Sequence, residues 1–182
     1  MWKPGHKLLP TNEHDSIKRF GSLLRRLHTK PELLDKYDEI IQEQLAEGIV
    51  ERVKEPPMER EFYIPHNPVV RENAETTKVR IVFDASAKAN EDSPSLNECL
   101  ETGPPIQNLL WDVLVRNRVK PIALAGDIKQ AFLQVRIRPE HRDALRFHWI
   151  KKDPSAIEVL RFTRALFGLV QSPFLPGGTL KH

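Results

Sequence analysis

A single cysteine, Cys99, leaves no partner for an intramolecular disulfide and no thiolate set for a structural zinc site. Seven histidines are present, but none pair at the i, i+4 spacing that sets two imidazoles on one helical face. A histidine-built metal site is therefore not expected, and His141 and His148 read as polar surface or edge residues. No apolar run approaches the roughly 18–20 residues that span a membrane. The first residues, Met1-Trp2-Lys3-Pro4-Gly5-His6-Lys7, lack the hydrophobic stretch of a signal peptide. These absences predict a soluble, reduced, intracellular protein of the cytoplasm. Glycine is also scarce, 8 against 15 prolines, so proline does most of the punctuation and the elements are short.

What remains is an ordinary globular balance. The 182 residues are 40% apolar and 29% charged, enough for one domain or one with a small appendage. A net charge of +3 permits a nucleic-acid partner without requiring one. Residues 1–14 read as an arm. Ile17, Phe20, Leu23 and Leu27 recur at helical spacing after a Ser16 cap. Thr29-Lys30-Pro31-Glu32 has the form of a capping box opening a second helix, which Gly48 closes before a short strand at Ile49–Val53. "FYIPHNPVVR" and "KVRIVFDAS" flank the polar "ENAETT" and predict a β-hairpin over 62–84. Residues 87–105 read as a long loop, 106–118 as a helix and 121–128 as a strand, with mixed short elements following to Phe162. A turn at Gly168 and Pro173 leads into a last helix. Helices and strands mix without a strict alternation, so the predicted class is α+β.

Three clusters carry potential chemistry. Asp127 ends the apolar run Ile122-Ala123-Leu124-Ala125-Gly126, where a carboxylate serves as metal ligand, general base or helix cap. Alone, the cap is the commoner role. A hard cation wants several oxygens, so a metal role would require further acidic partners. Lys78 and Arg80 are two apart on the hairpin and share a face, with Arg71 on the partner strand. Such cations grip phosphates, although a solvated hairpin face produces the same pattern. Phe167-Gly168-Leu169-Val170-Gln171-Ser172-Pro173 has the form of a tight backbone approach followed by a capped helix.

Taken in order, "AEGIVERV", "YIPHNPVVRE", "KVRIVFDASAK", "LAGDIKQAFLQVRI" and "RALFGLVQSPF" resemble the reverse transcriptases of the BEL/Pao group of LTR retrotransposons. The likeness runs over roughly residues 6–180 and implies the fingers and partial palm of a right-hand polymerase. On that likeness residues 1–14 are an arm, 15–120 a fingers-like region and 121–182 a partial palm with motifs A and B. It implies that Asp127 is the first metal-binding aspartate, with the backbone carbonyl of Ile128 as a second oxygen donor. It implies that Phe132 is the steric gate that selects deoxynucleotides, and that Arg80 grips the incoming triphosphate, helped by Lys78 and Arg71. Phe167 and Gly168 would line the nucleotide pocket.

The implied cofactor is Mg²⁺ or Mn²⁺, and the implied partners are an RNA or DNA template–primer and deoxynucleotides, with no membrane. Flanking protease and integrase segments of a polyprotein, and a virus-like particle if the element is active, belong to the same expectation. The family's Tyr-x-Asp-Asp turn would lie beyond Ser172-Pro173, and no acidic residue follows Glu158. The chain therefore reads as a truncated part of an RNA-directed DNA polymerase, inactive by itself. The alternative is a non-catalytic nucleic-acid-binding remnant or a co-opted fragment.

Overall fold

The computed structural model describes residues 2–58, 60–70, 79–119, 121–150 and 156–181. Two helices open it, α1 at Glu13–His28 and α2 at Pro31–Ala46. Ser16, Phe20, Leu23 and Leu27 form the buried stripe of α1, as helical periodicity requires. The helix begins three residues before the expected Ser16 cap. Asn12 occupies the cap position, but its amide is engaged elsewhere. Its Nδ2 donates to the carbonyl of Tyr63 (2.8 Å) and its Oδ1 accepts from the Tyr63 N–H (2.7 Å). The expected capping box at Thr29 is not made either. Thr29 still has helical backbone angles as the last residue of the preceding turn, and its hydroxyl donates to the carbonyl of Arg26. Lys30 takes the cap position and Pro31 the first turn. The box forms instead at Ser95 and Glu98, heading a short helix α3 (Leu96–Cys99) inside the span expected to be loop.

Three strands, β1 (Val50–Arg52), β4 (Arg146–Ile150) and β5 (Ile157–Phe162), make an antiparallel sheet with β5 in the middle. The outer edge of β4 is covered by residues 62–64, where Ile64 N–H donates to Arg146 O and Arg146 N–H to Phe62 O. With both edges paired and both faces covered, β4 is buried along its first four residues. His148 is therefore interior, not the surface or edge residue its polarity suggests. The helices close over this sheet. Tyr37 of α2 stacks on Trp149 (4.7 Å between ring centroids), whose Nε1 donates to Asp38. Phe62, Ile64, Phe147, Leu160 and Phe162 fill the space beside them.

The expected hairpin is present as β2 (His66–Val70) and β3 (Val79–Phe83), with His66 opposite Phe83, Asn67 opposite Val82 and Val69 opposite Arg80. Paired residues share a face, and alternate residues along a strand do too. One face thus carries His66 and Phe83 into the core, and the other exposes Asn67, Val69, Arg80 and Val82. The connecting turn, with Arg71 and Lys78, lies outside the described residues.

The strand expected over 121–128 is not formed. Residues 121–130 are exposed and carry no regular strand, Leu124 being 93% exposed. An apolar run becomes a strand only when a neighbour receives its ladder of hydrogen bonds, and no described segment pairs with this one. The preceding helix, α4, spans Leu110–Arg118, starts later than expected and buries none of its residues. The final helix, α5 (Phe174–Lys181), follows the turn at Pro173 as predicted. The class is α+β. No helix among the described residues is long and apolar enough to cross a membrane.

Candidate nucleotide and nucleic-acid site

Phe132 lies on a single 3₁₀ turn, Ala131–Gln134, entered through Gln130 at a left-handed φ of 53°. The turn closes through Leu133 N–H to Gln130 O (2.8 Å) and Val135 N–H to Phe132 O (3.0 Å). The chain beyond it is laced to 163–165, with Ile137 N–H on Thr163 O and Ala165 N–H on Val135 O. This lacing brings Phe132 to Phe167, whose rings meet edge to face with centroids 4.3 Å apart. Phe132 is half-buried and Phe167 is 71% exposed, so the pair stands at a rim with one ring rooted in the core.

Gly168, next in the chain, has φ +102°, and a Cβ there would come within 2.5 Å of the carbonyl oxygen of Phe83. Both facts demand glycine, one by backbone angle and one by contact. Asn97 fixes the same turn from the other side. Its Nδ2 donates to Gly168 O (2.8 Å) and its Oδ1 accepts from Val170 N–H (3.0 Å). Sequence reasoning missed Asn97; the nearest signal was the Ser95–Glu98 spacing, which marks an ordered helix start rather than a loop. Phe83 belongs to β3, as does Arg80. The Phe-Gly turn, Phe132 and the base of the hairpin are thereby held together, and Arg80 extends from that hairpin on its exposed face.

Asp127 and Ile128 are not drawn into this group by any hydrogen bond or ion pair among the described residues, and both are exposed. Among the described residues no group of three or more histidine, cysteine, aspartate or glutamate side chains could hold a metal ion. A Mg²⁺ or Mn²⁺ ion would find one carboxylate and one carbonyl here, well short of its oxygen requirement. The residues described do not by themselves assemble a metal site. Arg71 and Lys78, the other expected phosphate ligands, fall outside the described residues.

The strongly perturbed groups lie elsewhere, in the core behind the hairpin. Burial holds His66 and His148 down to about 4. His66 donates from Nε2 to the carbonyl of His148 (2.9 Å), so its Nδ1 accepts from the Tyr37 hydroxyl. Burial pushes Tyr63 up to about 12, against the opposing hydrogen bond from Arg146. Burial alone would also raise Asp143. The N–H of Met58 and the guanidinium groups of Arg146 and Arg161 outweigh it and hold this carboxyl below its usual range. Arg161 also reaches Glu51 (2.6 Å), making a network that ties β4 and β5 to β1.

No protein-family model matches the chain, and no curated protein matches it at a significant level.

Proposed function

We propose that this chain is the fingers and upper-palm part of an RNA-directed DNA polymerase resembling the BEL/Pao reverse transcriptases, acting inside the cell on template–primer and deoxynucleotides. The observation that carries the reading is the meeting of Phe132 with Phe167 while Gly168 packs on the base of the Arg80 hairpin. Two blocks distant in sequence bring the expected gate aromatic to the Phe-Gly turn, and that turn packs on the strand whose opposite, exposed face carries Arg80. In this reading Arg80 holds the triphosphate by charge-assisted hydrogen bonds. Phe132, braced by Phe167, lies beneath the sugar and clashes with a 2′-hydroxyl. Asp127 supplies one of several carboxylates, and the metal chemistry belongs to a longer protein that brings the others.

The test is cross-linking of a photoreactive deoxynucleoside triphosphate to the full chain. Labelling should fall at least about tenfold in Arg80→Ala, the scale expected when a charge-assisted contact is removed. Equal labelling of the variant would remove the basis of the assignment.

A second reading, a nucleic-acid-binding module without catalysis, draws on the net charge of +3 and on the exposed Arg80 of the hairpin. It gives salt-sensitive binding of nucleic acid with no dependence on Arg80 for nucleotide labelling.

A further inference from the structure

Between α1 and the start of β2 lies a cavity of about 370 Å³. One wall is the flank of α1 that carries Arg19, Ser22 and Arg26, which at about 100° per residue fall within one narrow arc beside the buried stripe. The opposite wall holds Asn67 and Asp84, and His148 lies deep within the lining. Arg26 is already positioned, since its Nη2 donates to Asn67 Oδ1 (2.5 Å). Asp84 is the one carboxylate of the lining, and its Oδ1 accepts the N–H of Ser86. Lys18, also at the rim, stands 3.8 Å from Asp15, which leaves the two arginines against Asp84 and a cationic excess of one charge.

His148 is the second, independent observation. It is 2% exposed, clasped between Phe20 and Tyr63, with Nδ1 3.2 Å from Ser16 Oγ. Its Nε2 is buried and has no hydrogen-bond partner among the described residues. Ser16 Oγ and His148 Nδ1 share one hydrogen bond, so Nε2 is the unpartnered atom of the ring, donor or acceptor according to which nitrogen carries the proton. Native interiors rarely leave such a group unpaired. The cavity therefore sets two guanidinium groups and the Asn67 carboxamide against the single carboxylate of Asp84, around a space too small for a folded segment.

We infer that this cavity binds a phosphate group. Two sources share that chemistry, the sugar–phosphate backbone of a nucleic acid and free phosphate. The first rests on the polymerase reading above and has geometric support. Asn67, at the cavity wall, lies on the same exposed hairpin face as Val69, Val82 and Arg80. A strand anchored by one phosphate in the cavity would continue along that face toward Arg80, its bases over the two valines.

The full chain is titrated with inorganic phosphate while the ring nitrogens of His148 are followed by long-range ¹H–¹⁵N correlation. A twelve-nucleotide single-stranded RNA is titrated separately by fluorescence anisotropy at several salt concentrations. Phosphate should shift the Nε2 resonance. Arg19→Gln/Arg26→Gln should abolish the shift, weaken RNA binding about tenfold, and lower the salt slope by about two. Lys36→Gln, on α2 and outside the cavity lining, reports the effect of simply removing a helix charge and should leave the resonance response intact. An unmoved resonance together with unchanged RNA affinity of the double variant overturns the site. A resonance shift with unchanged RNA affinity keeps the phosphate site and overturns the nucleic-acid source. Loss of the polymerase reading, seen as nucleotide labelling indifferent to Arg80, leaves the phosphate titration standing as a separate result.

Discussion

The ring of Phe132 rests edge-on against that of Phe167, and neither ring has its place without the backbone lacing of 135–137 to 163–165. Aromatic pairs of this geometry contribute roughly 0.5–1.5 kcal/mol beyond buried area. A double-mutant cycle of Phe132→Ala and Phe167→Ala, followed by urea unfolding, should give a coupling energy of about 1 kcal/mol. A coupling indistinguishable from zero would mean that the contact contributes nothing. On the polymerase function proposed above, Phe132→Ala in a longer protein carrying this chain should also admit ribonucleotides into primer extension.

Gly168→Ala forces a side chain into a left-handed backbone angle and toward the carbonyl of Phe83. The strain alone costs on the order of 1–3 kcal/mol, and the displaced carbonyl adds to it. The urea midpoint should fall accordingly, and nucleotide labelling should fall with it. A variant of unchanged midpoint would show that the turn relaxes freely.

Asp127→Asn separates stability from chemistry. The side chain is exposed and makes no hydrogen bond or ion pair among the described residues, so unfolding should move by less than about 0.5 kcal/mol. On the polymerase function proposed above, the same change in a longer protein that supplies further carboxylates should abolish primer extension on an RNA template. Full activity in that variant would end the role assigned to Asp127.

Acid should destabilise the fold through two interior imidazoles. His66 and His148 take up protons near 6.5 when unfolded and only near 4 when buried. Between those values the unfolded state binds more protons, so stability that is complete above 6.5 is lost as pH falls toward 4. Their joint contribution is several kcal/mol, and His66→Gln should flatten part of the curve measured by thermal unfolding across that window. An unchanged curve would mean that these rings do not govern the acid limb.

Asp143 is buried between Arg146 and Arg161 and also receives the Met58 N–H, so its loss strips the buried Arg146 of its close counter-charge while Arg161 keeps Glu51. Asp143→Ala should cost about 3–5 kcal/mol, the range for removing one partner of a buried ion pair. Chemical denaturation reads this directly, and a loss below about 1 kcal/mol would show that solvent reaches the network.

Periodicity made α1, α2 and the hairpin legible, because each of them buries a stripe or a face that the sequence marks, whereas the closing helix, which buries none of its residues, was marked by the turn at Gly168 and Pro173. The caps were misread for a local reason. Thr29 and Ser16 have the right chemistry at the wrong backbone angles, and Asn12 spends its amide on Tyr63. His148 was misplaced because polarity says nothing of a strand covered on both faces. Leu124 and its neighbours have the composition of a strand, yet pairing is a property of two segments and only one is described. In the candidate site, Phe132, Phe167 and Gly168 were legible as a group only through the order of the motifs. Asn97 was not, since a side chain that clamps a remote turn leaves no periodic trace.

The exposed span from α4 to Gln130 has one more consequence. A protease entering at Leu124 would meet extended, unpaired backbone and would cut the chain in two. The halves would not part, because β1 remains hydrogen-bonded to β5 and Ile64 to Arg146 across the cut. The expected product is a nicked complex that elutes as one particle on gel filtration, held by strand pairing and not by the continuity of the chain.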